Sequence, residues 1–294
     1  MYKEKFPEIE KISLIGNSTP ESVSDEKVLS IHPDVAIFGL TGHGPGIDSN
    51  LVKYLEQSGV PVVFIDFRSA PLKNTVPSMR ILGKAIQREA EAEKFIEFYE
   101  TELKRVTEVT QEIPEAEKAT VFIELKAGTS PSCCGTAGNG NMGDFVDLAG
   151  GKNIAKALLP GALGKINIEK LIVADPDVYI ASGSIVPNKG LPGIPFGMQT
   201  TKEEARAGLK SVLNRTGISH LTAIENERVY GVWHNYYNSP YNILAIQNFA
   251  KWFYPEKFKD LDPQETLERM HQEFLAVEPV GTYWVELKEE KREE

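Results

Sequence analysis

A short segment occurs twice in this chain, 143 positions apart, and this repeat limits the folds that the chain can adopt. Residues 24–39 read SDEKVLSIHPDVAIFG, and residues 167–183 read NIEKLIVADPDVYIASG. Both copies contain Glu-Lys, two aliphatic residues, Pro-Asp-Val and then an Ile. Each copy predicts a short helix, a turn at Pro-Asp and a buried strand, over Val35–Phe38 in the first copy and Val178–Ala181 in the second. The repeat therefore indicates two α/β lobes of related construction.

The segment between the two copies predicts one long helix. Asn74 or Thr75 is a suitable N-cap, Pro77 falls near the first turn, and neither Pro nor Gly interrupts the chain from Lys84 to Ile113. At ~1.5 Å per residue, this helix would be roughly 54 Å long. A coiled-coil arm is the alternative, but the apolar positions follow no strict heptad. We predict an α/β fold of two Rossmann-like lobes with parallel sheets, made of an N-terminal lobe at 1–73, a backbone helix at 74–113 and a C-terminal lobe at 114–294.

The composition excludes several classes of protein. The 294 residues include 32 Lys+Arg and 42 Asp+Glu, a net charge of −10 that argues against binding to nucleic acid. No apolar run approaches the ~20 residues of a membrane-spanning helix, and the polar residues after Met1 give no secretory signal. Neither a G-x-S-x-G elbow nor a Walker A motif is present, so the sequence predicts a binding protein rather than an enzyme.

Two segments after the predicted strand at 120–125 are candidate ligand loops. Cys133 and Cys134 are the only cysteines, and their spacing does not suit zinc. Three alternatives remain for this pair: a vicinal disulfide, two thiols that line a cleft, or burial as small apolar side chains. Residues 138–143 read Gly-Asn-Gly-Asn-Met-Gly, but they do not directly follow the strand as a dinucleotide motif requires. We expect instead a ligand-facing loop at a helix N-terminus, with Asn141 contacting the ligand.

Further candidates follow other predicted strands, where α/β folds place their ligands. His43 lies in the glycine-rich segment after the first copy of the repeat, and Arg68 follows the strand that ends near Asp66. The alternatives for Arg68 are an ion pair with Asp66 or a surface position. A third cluster follows the strand predicted at 228–233, and its candidates are Trp233, His234, Tyr236 and Tyr237. The alternative for this cluster is a set of core aromatic side chains beneath a loop.

Other segments complete an ordered pattern with the two copies of the repeat. They are Gly59-Val-Pro-Val-Val-Phe-Ile65, Met79-Arg-Ile-Leu-Gly-Lys84, Phe145-Val-Asp-Leu-Ala-Gly-Gly-Lys-Asn-Ile154 and Asn248-Phe-Ala-Lys-Trp-Phe-Tyr-Pro255. Over nearly its whole length, the chain resembles the helical-backbone substrate-binding proteins of ABC importers, the family that collects ferric siderophores, haem and vitamin B12. The resemblance implies two lobes joined by a long helix, a ligand cleft between the lobes, and no cofactor.

The resemblance also implies roles for individual residues. In this family, a glutamate on each lobe docks onto arginines of the membrane permease, and Glu26 and Glu169 occupy the matching positions. The alternative is that both are acids favoured by the dipole at a helix start. The implied ligand is a ferric chelate, which suits Arg68 and the aromatic cluster. Haem, with His43 or Tyr236 as axial ligand, and an oxyanion such as molybdate are alternatives.

The start of the chain differs from the family pattern. Members begin with a signal segment and a strand–helix–strand unit, whereas this chain begins just before residues 12–16, which would be a later strand. We therefore expect a shortened family member, whose full-length form is periplasmic or lipid-anchored outside the cytoplasm. Two other functions stay open: an interaction module that no longer transports, and a nitrogenase-like oxidoreductase, which the two adjacent cysteines make a poor match.

Overall fold

The structure is a computed structural model that describes residues 2–16, 23–40, 46–130, 133–184 and 193–288. The chain divides into two compact units. The first unit comprises Met1–Glu100, Asn238–Pro240 and His271–Val277, and the second comprises Thr101–Tyr237, Tyr241–Met270 and Glu278–Glu294. Among the described residues, no helix has both the length and the hydrophobicity needed to cross a lipid bilayer.

The first unit is built around a two-stranded parallel sheet. Its elements are α1 (Tyr2–Lys5), a 3-10 helix (Pro7–Lys11), α2 (Asp25–Ser30), β1 (Ala36–Gly39), α3 (Asn50–Gln57), β2 (Val62–Ile65), α4 (Pro71–Ala85) and the first part of α5 (Glu89–Thr110). Val28 of α2 and Leu51 and Leu55 of α3 form a small core with Ala36. Ala36 is the one buried residue of β1, so the first predicted strand exists but is half-buried rather than buried.

Residues 12–16 do not form the strand that the family pattern suggested. They are irregular, and the side chains of Ile12 and Leu14 are exposed. The segment is joined to α2 because the Lys27 ammonium donates to the Leu14 carbonyl and the Ser24 N–H donates to the Ile15 carbonyl.

The prediction of one continuous helix over 74–113 is wrong, because the chain forms α4 and α5 with a break between them. Gln87 adopts a φ of 57°, which is left-handed backbone that an α-helix cannot contain. The two helices also approach closely at Gly83, where a Cβ atom would lie 2.5 Å from the Cβ of Ala92. The break therefore depends on a glycine contact between the helices as well as on local backbone.

The start of α4 also differs from the prediction. The helix begins at Pro71 rather than at 74 or 75, and its N-cap residue makes no side-chain hydrogen bond. The amide of Asn74 donates instead to the carboxylate of Asp66 at 2.7 Å. Pro77 lies inside the helix, so Pro71 occupies the first-turn position where a missing N–H costs nothing.

The second unit contains a seven-stranded mixed sheet of order β6-β4-β3-β7-β8-β9, with β5 beside β3. Its strands are β3 (Thr120–Glu124), β4 (Gly135–Ala137), β5 (Lys152–Asn153), β6 (Leu163–Lys165), β7 (Val178–Gly183), β8 (Val229–Trp233) and β9 (Trp284–Glu286). Its helices are the rest of α5, α6 (Met142–Leu148), α7 (Ile168–Ala174), α8 (Lys202–Leu213), α9 (Thr222–Glu225), α10 (Asn242–Phe253) and the first part of α11 (Pro263–Phe274). The 3-10 turns are at Glu115–Glu117, Ile154–Ala157 and His234–Asn238, the last of which ends in the first unit. The central strands β3, β7 and β8 are parallel, which confirms the predicted α/β class.

The two copies of the repeat fold alike. Helix α2 leads to β1 and helix α7 leads to β7, as predicted. Each helix is followed by a left-handed residue directly before the proline, His32 with a φ of 47° and Asp175 with a φ of 37°. The copies differ in burial, because every residue of β7 is buried whereas β1 is mostly half-exposed.

Candidate functional site

The carboxyl ends of three parallel strands meet at one edge of the second unit, and a single serine links the segments that follow them. The Ser182 hydroxyl, at the end of β7, accepts from the Lys126 N–H at 2.9 Å and lies 2.9 Å from Nδ1 of His234. The Ser182 carbonyl accepts from the Ala127 N–H at 2.9 Å. Because Ser182 and His234 are both buried, the chain after β3 and the chain after β8 are both fixed to β7.

An aromatic cluster follows β8. The ring of Trp233 makes edge contacts with Tyr236, Tyr241 and Tyr283, at centroid distances of 5.7, 6.4 and 5.3 Å. Tyr236 is entirely buried, so this cluster has the core character of the alternative interpretation. Tyr237 packs edge-on against the ring of His234, with centroids 4.9 Å apart.

Two polar atoms of this cluster are buried without a hydrogen bond. Nε1 of Trp233 and the hydroxyl of Tyr236 find no partner among the described residues. Burial raises the pKa of Tyr236 well above its usual range, and the neighbouring hydroxyls of Tyr283 and Tyr241 raise it further. The phenol therefore stays protonated, and the cluster holds two hydrogen-bond donors that the described protein leaves unused.

The cysteine pair lies beside this edge. The sulfur atoms of Cys133 and Cys134 are bonded to each other as a vicinal disulfide. Cys134 is fully buried in the core that contains Phe122 and Tyr179, and Cys133 packs against the same core. The structure therefore combines two of the sequence-based alternatives, a disulfide and burial.

The glycine-rich segment 138–143 is explained by close packing. A Cβ atom at Gly138 would lie 2.6 Å from the Gly161 carbonyl oxygen, and one at Gly143 would lie 2.0 Å from the Gly138 carbonyl oxygen. Asn141 is buried and its side chain does not cap α6. The segment is thus packed against the protein rather than open, and a role for Asn141 in ligand binding stays a prediction.

Two predicted site residues precede the second unit. His43 lies outside the described residues. Arg68 follows β2 in the first unit, and its N–H donates to the Asp66 carboxylate at 2.8 Å. Burial alone would raise the pKa of Asp66, but hydrogen bonds from Ser69, Asn74 and the Arg68 N–H outweigh it and hold the pKa below its ordinary value.

The two glutamates of the repeat occupy equivalent positions. Glu26 and Glu169 are each the second residue of a short helix, and both are exposed. The side chain of Ser24 caps α2 by accepting from the Lys27 N–H, and that of Asn167 caps α7 by accepting from the Glu169 N–H.

Sequence reasoning missed two members of the aromatic cluster. Tyr283 is 50 residues from Trp233 in the sequence, and no expectation was attached to β9, whereas Tyr241 lies eight residues after Trp233 and was not selected. A signal for β9 was present, since residues 282–286 read Thr-Tyr-Trp-Val-Glu, a run of β-branched and aromatic residues typical of a strand.

Comparison with known proteins decides the family. The family model described as periplasmic binding protein matches residues 2–236. The chain belongs to the periplasmic binding proteins. This family consists of substrate-binding transport proteins rather than enzymes, so the predicted family is confirmed.

Relatives of this periplasmic binding protein support the assignment. An uncharacterized ABC transporter substrate-binding lipoprotein of Bacillus subtilis, YvrC, is 24% identical over 255 residues, which cover 86% of this chain and 71% of YvrC. The crystal structure of the TroA-like periplasmic binding protein FepB from Veillonella parvula matches with a TM-score of 0.86 and 26% identity, covering 98% of this chain and 82% of FepB. The chain is therefore similar to substrate-binding proteins of ABC transporters.

More distant structures share the fold and differ in what they bind. MolA of Haemophilus influenzae, solved with molybdate, matches with a TM-score of 0.69 and 16% identity over 95% of this chain and 83% of MolA. The haem-binding protein RhuT of Roseiflexus matches with a TM-score of 0.61 and 20% identity over 86% of this chain and 88% of RhuT. The fold therefore accommodates ligands of different chemistry, and the ligand must be argued from the site.

Proposed function

We propose that this periplasmic binding protein captures a ferric chelate outside the cytoplasm and delivers it to the permease of an ABC importer. The observation that carries the proposal is the pair of unused donors, Nε1 of Trp233 and the hydroxyl of Tyr236. A buried donor without a partner costs about 1–3 kcal/mol. Both atoms are buried, so a ligand that supplies oxygen acceptors would recover this cost by displacing the side chains that cover them. The organic part of a ferric chelate is rich in such oxygens.

The surroundings of the two donors suit a bulky organic ligand. The rings of Trp233 and Tyr237 are only partly buried, so they offer apolar surface and the weakly positive edges of aromatic rings beside the donors. The link between Ser182 and His234 holds this segment in place before a ligand arrives, which reduces the ordering cost of binding. Arg68 and His43 stay predicted ligand contacts.

The ligand is tested by titration of the purified protein. We expect a ferric hydroxamate or catecholate siderophore to bind with micromolar or tighter affinity by isothermal titration calorimetry. Trp233→Phe and Tyr236→Phe should each weaken binding about tenfold, because each removes one donor. Trp284→Phe, which alters a tryptophan outside the cluster contacts, is the matched control. Saturable binding of haemin or molybdate alone, or of none of these ligands, would refute the ferric chelate.

We also propose that Glu26 and Glu169 dock onto basic residues of the permease. Both carboxylates are exposed at the same position of equivalent helices, as a pair of docking points requires. Glu26→Lys and Glu169→Lys should each reduce binding to the permease complex in lipid nanodiscs while leaving ligand affinity unchanged. Unchanged permease binding in both variants would overturn this role.

A further inference from the structure

The helix that carries Glu169 also carries an exposed apolar pair. Val173 is 87% exposed and Ile172 is 48% exposed. Residues three and four positions apart share one face of a helix, so Glu169, Ile172 and Val173 form one continuous surface, which we call the α7 face.

Helix α7 is held firmly although it is short. Its N-terminus is capped by Asn167, whose side chain accepts from the Glu169 N–H at 3.0 Å. At its other end, the Asp175 carboxylate accepts from the N–H and the hydroxyl of Thr222, at 2.8 and 2.6 Å. Leu171 anchors the opposite side of the helix in the core. The α7 face is therefore presented by a fixed element.

The packing beneath the α7 face explains why Ile172 is only half exposed. A Cβ atom at Gly217 would lie 3.3 Å from Cδ1 of Ile172, so the turn at Gly217 supports one side of that residue. Val173 has no comparable cover, because 87% of it faces solvent. Folding of the unit gains almost nothing from this valine, since the hydrophobic contribution scales with the apolar area removed from water.

The first copy of the repeat lacks this apolar pair. The residues three and four positions after Glu26 are Leu29 and Ser30. Leu29 is partly buried against the small core of the first unit, and Ser30 is polar. The apolar surface next to a docking glutamate is therefore a property of the second unit, and the repeat does not require it.

We propose that the α7 face is an apolar anchor for the permease, on which Val173 is buried while Glu169 meets a basic residue. This inference rests on the proposed docking role of Glu169. The chemistry of the face fits a partner surface with a cationic side chain next to an apolar pocket. Docking is then unequal, since the second unit contributes both charge and apolar burial and the first contributes charge through Glu26.

The test measures binding of the protein to its permease complex in lipid nanodiscs by biolayer interferometry. Val173→Ser should weaken binding about tenfold, which is the loss expected when a valine buried at an interface is replaced by a polar residue. The melting temperature should not change, because the side chain is exposed in the free protein. Leu163→Ser removes another exposed apolar side chain of the second unit and should leave binding unchanged.

The outcomes separate this inference from the docking proposal. If Glu169→Lys weakens binding but Val173→Ser does not, the apolar anchor is wrong and charge docking stands. If neither variant weakens binding, the docking proposal fails as well. Equal losses in Val173→Ser and Leu163→Ser would indicate nonspecific apolar contact and would also overturn the anchor.

Discussion

The buried ion pair between Glu124 and Arg215 lies at the carboxyl end of β3 and allows a quantitative test. Glu124 is the last residue of β3, and its carboxylate accepts from Nη1 and Nη2 of Arg215 at 2.7 and 2.6 Å. The Tyr179 hydroxyl donates to the same carboxylate. The side chains of Arg215 and Glu124 are 17% and 4% exposed, so neither charge can turn to water without moving the core.

Replacing Glu124 with Gln should destabilise the second unit by about 3–5 kcal/mol, because it leaves the guanidinium of Arg215 buried without its counter-charge. The matched control is Glu102→Gln. Glu102 is equally buried, but its partners Arg105 and Arg269 are 38% and 40% exposed and can be solvated. The control should therefore lose only charge-assisted hydrogen bonds, about 1.5–3 kcal/mol.

The assay is urea unfolding, followed by circular dichroism and tryptophan fluorescence, for both single variants. A third variant is a triple variant that combines Glu124→Leu, Arg215→Met and Tyr179→Phe. It removes both charges of the pair and also the Tyr179 hydroxyl, which would otherwise lose its acceptor. It should be less destabilised than Glu124→Gln, since replacing a whole buried pair by apolar residues is often nearly neutral. The reasoning is refuted if Glu124→Gln costs no more than Glu102→Gln, or if the triple variant is the least stable.

Three further predictions follow from other contacts. The pKa of Asp66 is lowered in the folded protein, so this carboxylate stabilises the fold above about pH 4, the unfolded pKa. That stabilisation is lost as the pH falls through the folded pKa. Asp66→Asn should abolish this part of the pH dependence of the urea midpoint. Gly143→Ala should lower the unfolding free energy by about 3 kcal/mol, because the new Cβ would lie 2.0 Å from the Gly138 carbonyl oxygen. The control, Gly161→Ala, has open space around its Cβ and should change the unfolding free energy by less than about 0.5 kcal/mol. Tyr236→Phe should raise the unfolding free energy by about 1 kcal/mol, because the hydroxyl that it removes is buried without a partner. Weaker ligand binding by this more stable variant would separate the effect on function from the effect on folding. A loss of stability would contradict the assignment of an unused donor.

Local patterns predicted the repeated units well because each contains its own signals. A capping side chain, a buried aliphatic residue and a proline directly after a left-handed residue specify helix and turn within a few positions. The break between α4 and α5 could not be predicted in this way. It depends on Gln87 adopting a left-handed φ of 57° and on the approach of Gly83 to Ala92, a contact that only the folded chain reveals.

The sequence allows candidate site residues to be selected but does not predict the contacts that surround them. Because ligand loops follow the ends of parallel strands, Trp233 and His234 could be selected from the sequence. The partners that determine their environment could not, since Ser182 and Tyr283 lie about 50 residues away on either side of this segment. The unused donors of the aromatic cluster are likewise a property of burial, which no local motif encodes.

The two copies of the repeat agree at the start of the helix and differ at the end of the strand. The glutamate is kept at the same helix position in both copies, whereas the strand ends have diverged. The position equivalent to Ser182 in the first copy is Gly39, which has no side chain to link neighbouring loops. The first unit therefore cannot build its strand edge as the second does, whereas both units carry an exposed glutamate at the same helix position.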